Sequence, residues 1–264
     1  MLITILMIEA CSYFIGSCIM AFGMYAVVTL GWFTGGIVGG ATGMGSVMVA
    51  MPILMAAFPA GDAVLISCLC ALGGNIHLIM VYHRLANAKD VRELILGCIP
   101  GSLLGTLVLK FAPVQMLELM VCIMLVCFIV MRCRSGVSVY RLPESSAIGV
   151  GAGVVSGFVH SSVALSGAPL GIYALLRQWE PNRVRGNFSI FFFLASLGTV
   201  GSQALAGLYR AELFPLALAG IIGCAAGQYA GVRIGRYIDR QLFQRIIVGF
   251  LTLTAIVLFM RVLG

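Results

Sequence analysis

Read for its apolar and polar positions alone, the chain is a series of long apolar runs cut by short clusters of charge, proline and glycine. The breaks fall at Phe58-Pro59-Ala60-Gly61-Asp62, at 83–93, 110–115 and 132–144, then at 177–186, 207–212 and 233–245. Between them the apolar runs reach roughly 20 residues, the length at which a helix crosses the hydrocarbon core of a bilayer. Polar and apolar residues never alternate over a strand-length segment, as a membrane barrel would require. The pattern predicts an all-α polytopic membrane protein.

Composition narrows this further. Only 9% of the 264 residues are charged and 61% are apolar, where soluble domains carry about 25% charge and 45–50% apolar residues. Too few polar side chains remain to cover a soluble core, so a soluble domain of useful size is excluded. A net charge of +7 would suggest nucleic acid in a soluble protein. Here it reads as the basic bias of cytoplasmic loops, and no nucleic-acid partner is expected. The nine cysteines lie mostly in apolar runs, form no CxxC pair and read as small core residues. Residues 1–20 lack the basic start and cleavage site of a signal peptide and read as a retained span.

The chain repeats itself. Residues 35–54 (GGIVGGATGMGSVMVAMPIL) match residues 152–171 (AGVVSGFVHSSVALSGAPLG) at an offset of 117, which pairs Gly36, Gly40 and Pro52 with Gly153, Gly157 and Pro169. Further on, Gly101, Gly105 and Lys110 match Gly227, Gly231 and Arg236 at an offset of 126. If loops 84–93, 132–144, 177–186 and 233–245 all face the cytoplasm, they hold 13 of the 16 Lys and Arg residues, leaving Lys110, Arg210 and Arg261 outside. Parallel halves would put basic loops on both sides, so the expected halves are inverted. The expected architecture is one membrane domain of two inverted-topology repeats, 21–134 and 146–264, each a broken re-entrant hairpin plus three spanning helices. One extra N-terminal span over 1–20 brings the full crossings to seven.

The two hairpin tips are where small and polar residues gather at membrane depth. Tip one holds Thr42, Gly43, Gly45 and Ser46; tip two holds His160, Ser161, Ser162, Ser166 and Gly167. Each begins a returning helix, whose free N–H groups and positive dipole end suit an anion. Glycine lets backbone approach a ligand, and the hydroxyls are short donors. Ser67 and Asn187 follow the two hairpins at matching places, and Asn75 and Gln203 are further amides inside spans. The substrate-binding candidates are therefore Thr42, Gly43, Gly45, Ser46, Ser67, Asn75, His160, Ser161, Ser162 and Asn187. Gly36, Gly40, Gly101, Gly105, Gly223, Gly227 and Gly231 read instead as close helix crossings. The repeated core carries no Asp or Glu, which argues against a cation site. No metal, cofactor or enzyme motif such as HExxH, GxSxG or a Walker loop is present. Arg183 and Arg185 read as topology-setting or as steering an anion at the rim.

At these residues the sequence resembles the sulfite exporter TauE/SafE family, also called the toluene sulfonate uptake permease family. The resemblance rests on TGGIVGGATGMGSVMVAMPIL, on the repeat opening GVVSGF and closing GAPLG, on VRGNFSIFFF and on AGQYAGVRIGRYIDRQLFQRII, and it covers roughly 25–262. Members commonly carry a GxGGG-like run before the first proline; here Ser46, Ser161 and Ser162 stand where glycines are usual. The resemblance implies transport of sulfite or small organosulfonates across the cytoplasmic (inner) membrane by a multi-pass protein. The expected partners are a small anionic substrate and the lipid bilayer, and a homodimer is among the assemblies the pattern allows. A secondary transporter working by alternating access is the leading expectation. A passive anion channel and a non-transport membrane protein are the alternatives.

Overall fold

The computed structural model describes residues 22–41, 45–134, 142–143, 145–234 and 249. The expected span over 1–20, the last span of the second repeat, and the tip residues Thr42 and Gly43 lie outside the described residues. Nine helices follow one another among the described residues, with no strand. They are α1 (Phe22–Ala41), α2 (Ser46–Ala57), α3 (Ala60–Tyr82, continued by a 3-10 turn to Leu85), α4 (Ala88–Phe111), α5 (Val114–Arg134), α6 (Ser146–Val163), α7 (Gly167–Leu176), α8 (Pro181–Leu205) and α9 (Leu213–Ile234). Six of them, α1, α3, α4, α6, α8 and α9, are long and apolar enough to cross a membrane.

Of the seven expected crossings, five fall on the described helices α3, α4, α5, α8 and α9. α5 is 21 residues long, and its sequence stays apolar from Leu119 through Met131, ahead of Arg132 and Arg134. The helices α1 and α6, expected as hairpin arms, reach 20 and 18 residues. Each is followed by a short helix, α2 of 12 residues and α7 of 10. The break between α1 and α2 ends at Gly45, whose φ of 93° is the left-handed conformation that glycine adopts without a side-chain penalty. The break after α6 uses Ala164 at φ 60°.

Two helix crossings set the frame, and both are made by glycine. On α4, a methyl at Gly97, Gly101 or Gly105 would stand 1.9–2.3 Å from the carbonyls of Val150, Val154 and Phe158 on α6. On α9, a methyl at Gly223, Gly227 or Gly231 would stand 2.1–2.4 Å from those of Thr29, Phe33 and Ile37 on α1. Backbones meet directly there, as the small-residue spacing of four predicts. The opposite face of α4 turns Leu96, Ile99, Leu103 and Leu107 outward, an apolar stripe suited to lipid. α3 packs against α8 and α9 in the centre, among buried Trp32, Met48, Met51 and Ile66.

Polar contacts tie the helix ends into two groups. At one end Arg183 of α8 pairs with Asp90 of α4 at 2.7 Å, and Ser146 of α6 donates to Glu93 at 2.6 Å. Arg177, just past α7, donates to the Pro143 carbonyl, just before α6, at 2.7 Å. At the other end Lys110 donates to the Ala206 carbonyl at 3.0 Å, and Arg210 pairs with Asp62. The chain thus leaves for α6 and comes back from α7 at the same end of the bundle. α2 packs back along α1, with the Ser46 carbonyl against Gly35 and Leu54 against Gly31, and delivers the chain to α3 at the opposite end.

Candidate functional site

The breaks in α1–α2 and α6–α7 meet around one cavity of about 40 Å³. One water needs roughly 10–15 Å³, so the space holds a few waters or one small anion. The start of α2 contributes Gly45, Ser46 and Val47, and the start of α7 contributes Ser166 and Gly167. Asn75 of α3 and His160 of α6 add to the polar wall. Trp32, Leu78, Leu165 and Phe192 form the apolar one. Two helix N-termini therefore face the same small space. The first N–H groups of each have no acceptor within their own helix, and the dipole adds positive potential there. The described lining includes no Lys or Arg.

A chain of hydrogen bonds fixes the polar wall. Asn75 donates its Nδ2 to Ser196 Oγ at 3.3 Å, Ser196 Oγ lies 3.1 Å from His160 Nε2, and His160 Nδ1 lies 2.9 Å from Ser166 Oγ. One direction of this chain uses every proton. Ser196 donates to Nε2, Nδ1–H donates to Ser166, and the Ser166 hydroxyl keeps its own proton for the cavity. This is the neutral tautomer carrying hydrogen on Nδ1. His160 is 2% exposed and works as an aligning relay between α8 and the start of α7.

Of the candidates read from sequence, Gly45, Ser46, Asn75 and His160 line this cavity. The other described ones stand elsewhere, each for a local reason. Ser67 donates to Met51 Sδ at 3.6 Å, between α3 and α2. Ser161 pairs with Thr199 at 2.7 Å, and Ser162 donates to the Phe158 carbonyl one turn back at 2.8 Å. Asn187 spends both edges of its amide at the helix ends: Oδ1 accepts from the Asn87 N–H at 2.7 Å and Nδ2 donates to Asp90 at 2.9 Å. Gln203 donates to the Ser161 carbonyl at 3.1 Å and accepts from Tyr209 at 2.7 Å. Burial pushes the Tyr209 phenol up, so it stays a donor. Trp32 and Gln228 were not among the candidates, yet both line the cavity. Gln228 sits between the contact glycines Gly227 and Gly231, where packing explains the spacing. Its own signal is that it is the one amide in that segment.

The Asp90 cluster is structural. Asn87 caps α4 by accepting from the N–H groups of Lys89 and Asp90 at 3.0 and 3.3 Å. Asp90, 4% exposed, binds Arg183 and Asn187. Asp90→Ala is expected to cost about 1.5–3 kcal/mol through the lost charge-assisted hydrogen bonds, checked by the unfolding transition in detergent. Arg183 is 36% exposed and can turn to solvent, which holds the loss to that range.

Six helices of crossing length among the described residues define a multi-pass membrane protein. The sequence model of one family, Sulfite exporter TauE/SafE, matches residues 28–258. The chain belongs to that family of membrane transporters. No curated protein and no solved structure shows significant similarity to it.

Proposed function

We propose that the chain is a secondary transporter for a small sulfur-containing anion, sulfite or an organosulfonate, held midway across the membrane between two hairpin tips. The observation that carries this reading is the convergence of two helix starts and the Ser166 hydroxyl on one cavity whose described lining has no cation. Hydrogen bonds to a charged group contribute about 1.5–3 kcal/mol each, and each helix end adds about 0.3–1 kcal/mol. Together they offset much of the dehydration of a small monoanion. A dianion costs more to dehydrate and binds less well.

The helix contacts support alternating access by inverted halves. Asn75 meets Ser196, 121 positions on, and the starts of α2 and α7, Ser46 and Gly167, are the same distance apart in sequence. The crossing of α1 on α9, where Gly36 faces Cys224, has its counterpart in α6 on α4, where Gly157 faces Cys98. Such reciprocal pairs arise when two halves are related by a two-fold axis, here through the Asn75–Ser196 contact. These contacts favour an offset of 121 over 117 for the first block, because Pro52 lies deeper in α2 than Pro169 does in α7. In this reading α1–α2 and α6–α7 are re-entrant hairpins from opposite faces, and the end with Arg84, Lys89, Arg177, Arg183 and Arg185 faces the cytoplasm.

Counterflow tests the mechanism. Proteoliposomes preloaded with unlabelled sulfite or methanesulfonate are expected to accumulate the labelled anion transiently. Flux without any counterflow would indicate a channel instead.

A further inference from the structure

Two polar side chains at the cavity are left over once the hydrogen bonds above are assigned. Gln228 is 1% exposed and lines the cavity, and its Oε1 has no partner. Among the described residues its Nε2 reaches only Cys224 Sγ, at 3.5 Å. Trp32 is fully buried, lines the same cavity, and its Nε1–H has no partner either. A buried polar atom without a partner is costly, and native structures keep few of them. These two come from α1 and α9, the helix pair locked by Gly36 and Gly227, so neither can easily move away.

We propose that Gln228 and Trp32 form the second half of the anion site, opposite the helix starts, and that Gln228 acts as a donor. A half-turn of the Gln228 amide about its last bond exchanges its two ends. Oε1 then accepts from the Cys224 thiol, and the Nε2 hydrogens face the cavity. Both Gln228 and the thiol are better satisfied this way whenever an anion is present. The Trp32 indole supplies one more N–H donor and no acceptor atom. Because the counterparts of these two residues on the other helix pair are Ser102 and Gly153, the site is lopsided. Ser102 donates to the Ile99 carbonyl on its own helix at 2.9 Å. An asymmetric ligand, with its oxygens toward the donors and any organic group toward Phe192 and Leu78, fits such a space better than a symmetric tetrahedral ion.

This assignment rests on the anion-site reading above, and its test separates the two. Binding of sulfite and of methanesulfonate is measured by titration on purified wild-type protein and on the Gln228→Leu, Gln228→Glu and Trp32→Phe variants. Wild-type binding of neither anion would sink the anion-site reading and this assignment with it. Given wild-type binding, Gln228→Leu is expected to weaken both anions about tenfold to a hundredfold, the effect of one charge-assisted hydrogen bond. Gln228→Glu, nearly the same shape but acceptor-only and anionic, is expected to weaken them further. Trp32→Phe keeps the ring packing and is expected to lose about tenfold, which covers the case in which Gln228 variants do not fold. Unchanged affinity in Trp32→Phe and in the Gln228 variants that fold would overturn the assignment. So would a loss confined to sulfite, which at neutral pH is partly protonated, because Gln228 would then be accepting a proton and not donating one.

Discussion

Gly153→Ala is expected to unfold the protein at a markedly lower temperature, whereas Gly151→Ala, two residues earlier on the same helix, is expected to be neutral or stabilising. A methyl at Gly153 would stand 2.1 Å from the Leu94 carbonyl oxygen and 3.0 Å from its Cα, both backbone atoms that cannot rotate away. α4 and α6 would have to separate along their shared length, losing the close contacts at Gly97, Gly101 and Gly157 as well. Overpacking a core costs roughly 1–3 kcal/mol and occasionally more; with rigid backbone on both sides the upper end applies. A methyl at Gly151 meets nothing within 4 Å, and alanine favours helix over glycine by about 0.8–1.0 kcal/mol. Thermal unfolding of the two variants in one detergent checks the contrast. Equal melting temperatures would mean that α4 and α6 are not in backbone contact.

The second large effect concerns the cavity. Gly167→Leu is expected to leave the fold intact and reduce anion transport more than a hundredfold. A Cβ at Gly167 meets only the flexible end of Met48, at 3.5 Å, so the backbone tolerates it. The rest of a leucine side chain must then enter a space of about 40 Å³ and displace whatever binds there. Position 167 is the first residue of α7, where a side chain does not disturb the helical hydrogen bonds. Uptake into proteoliposomes, with the unliganded melting temperature measured alongside, separates lost binding from lost structure. An active Gly167→Leu protein would place the substrate elsewhere.

Much of the architecture was readable because bilayer crossing and glycine packing leave strong marks. Runs of crossing length show α3, α4, α8 and α9 directly, and the spacing of Gly97, Gly101 and Gly105 shows where backbones meet. For the proposed repeat, matching Pro52 to Pro169 gives an offset of 117, whereas the helix contacts favour 121. Proline is tolerated at several places in a helix whose neighbours re-satisfy the freed carbonyl, so it aligns poorly. The lining of the cavity was less legible than the helices. A serine in a span shows that a hydroxyl is present but not which way it points. Ser161, Ser162 and Ser67 each find a partner on their own or a neighbouring helix, and Asn187 is drawn to Asp90 at the bundle end. Gln228 was hidden by the glycines on either side of it, which explained the segment by packing alone. Only the folded arrangement shows that it lines the same cavity as the starts of two other helices.

The central claim is that a small sulfur anion binds between the starts of α2 and α7, and ligand-induced stabilisation tests it most directly. Purified wild-type protein and Gly167→Leu are heated side by side with sulfite, methanesulfonate and larger sulfonates, using chloride as the ionic-strength control. A ligand at a hundredfold excess over its Kd should stabilise the wild type by about 2.7 kcal/mol. The account predicts saturable stabilisation of the wild type by at least one sulfur monoanion and none of Gly167→Leu. Equal stabilisation of both proteins, or of neither by any sulfur anion, would contradict it.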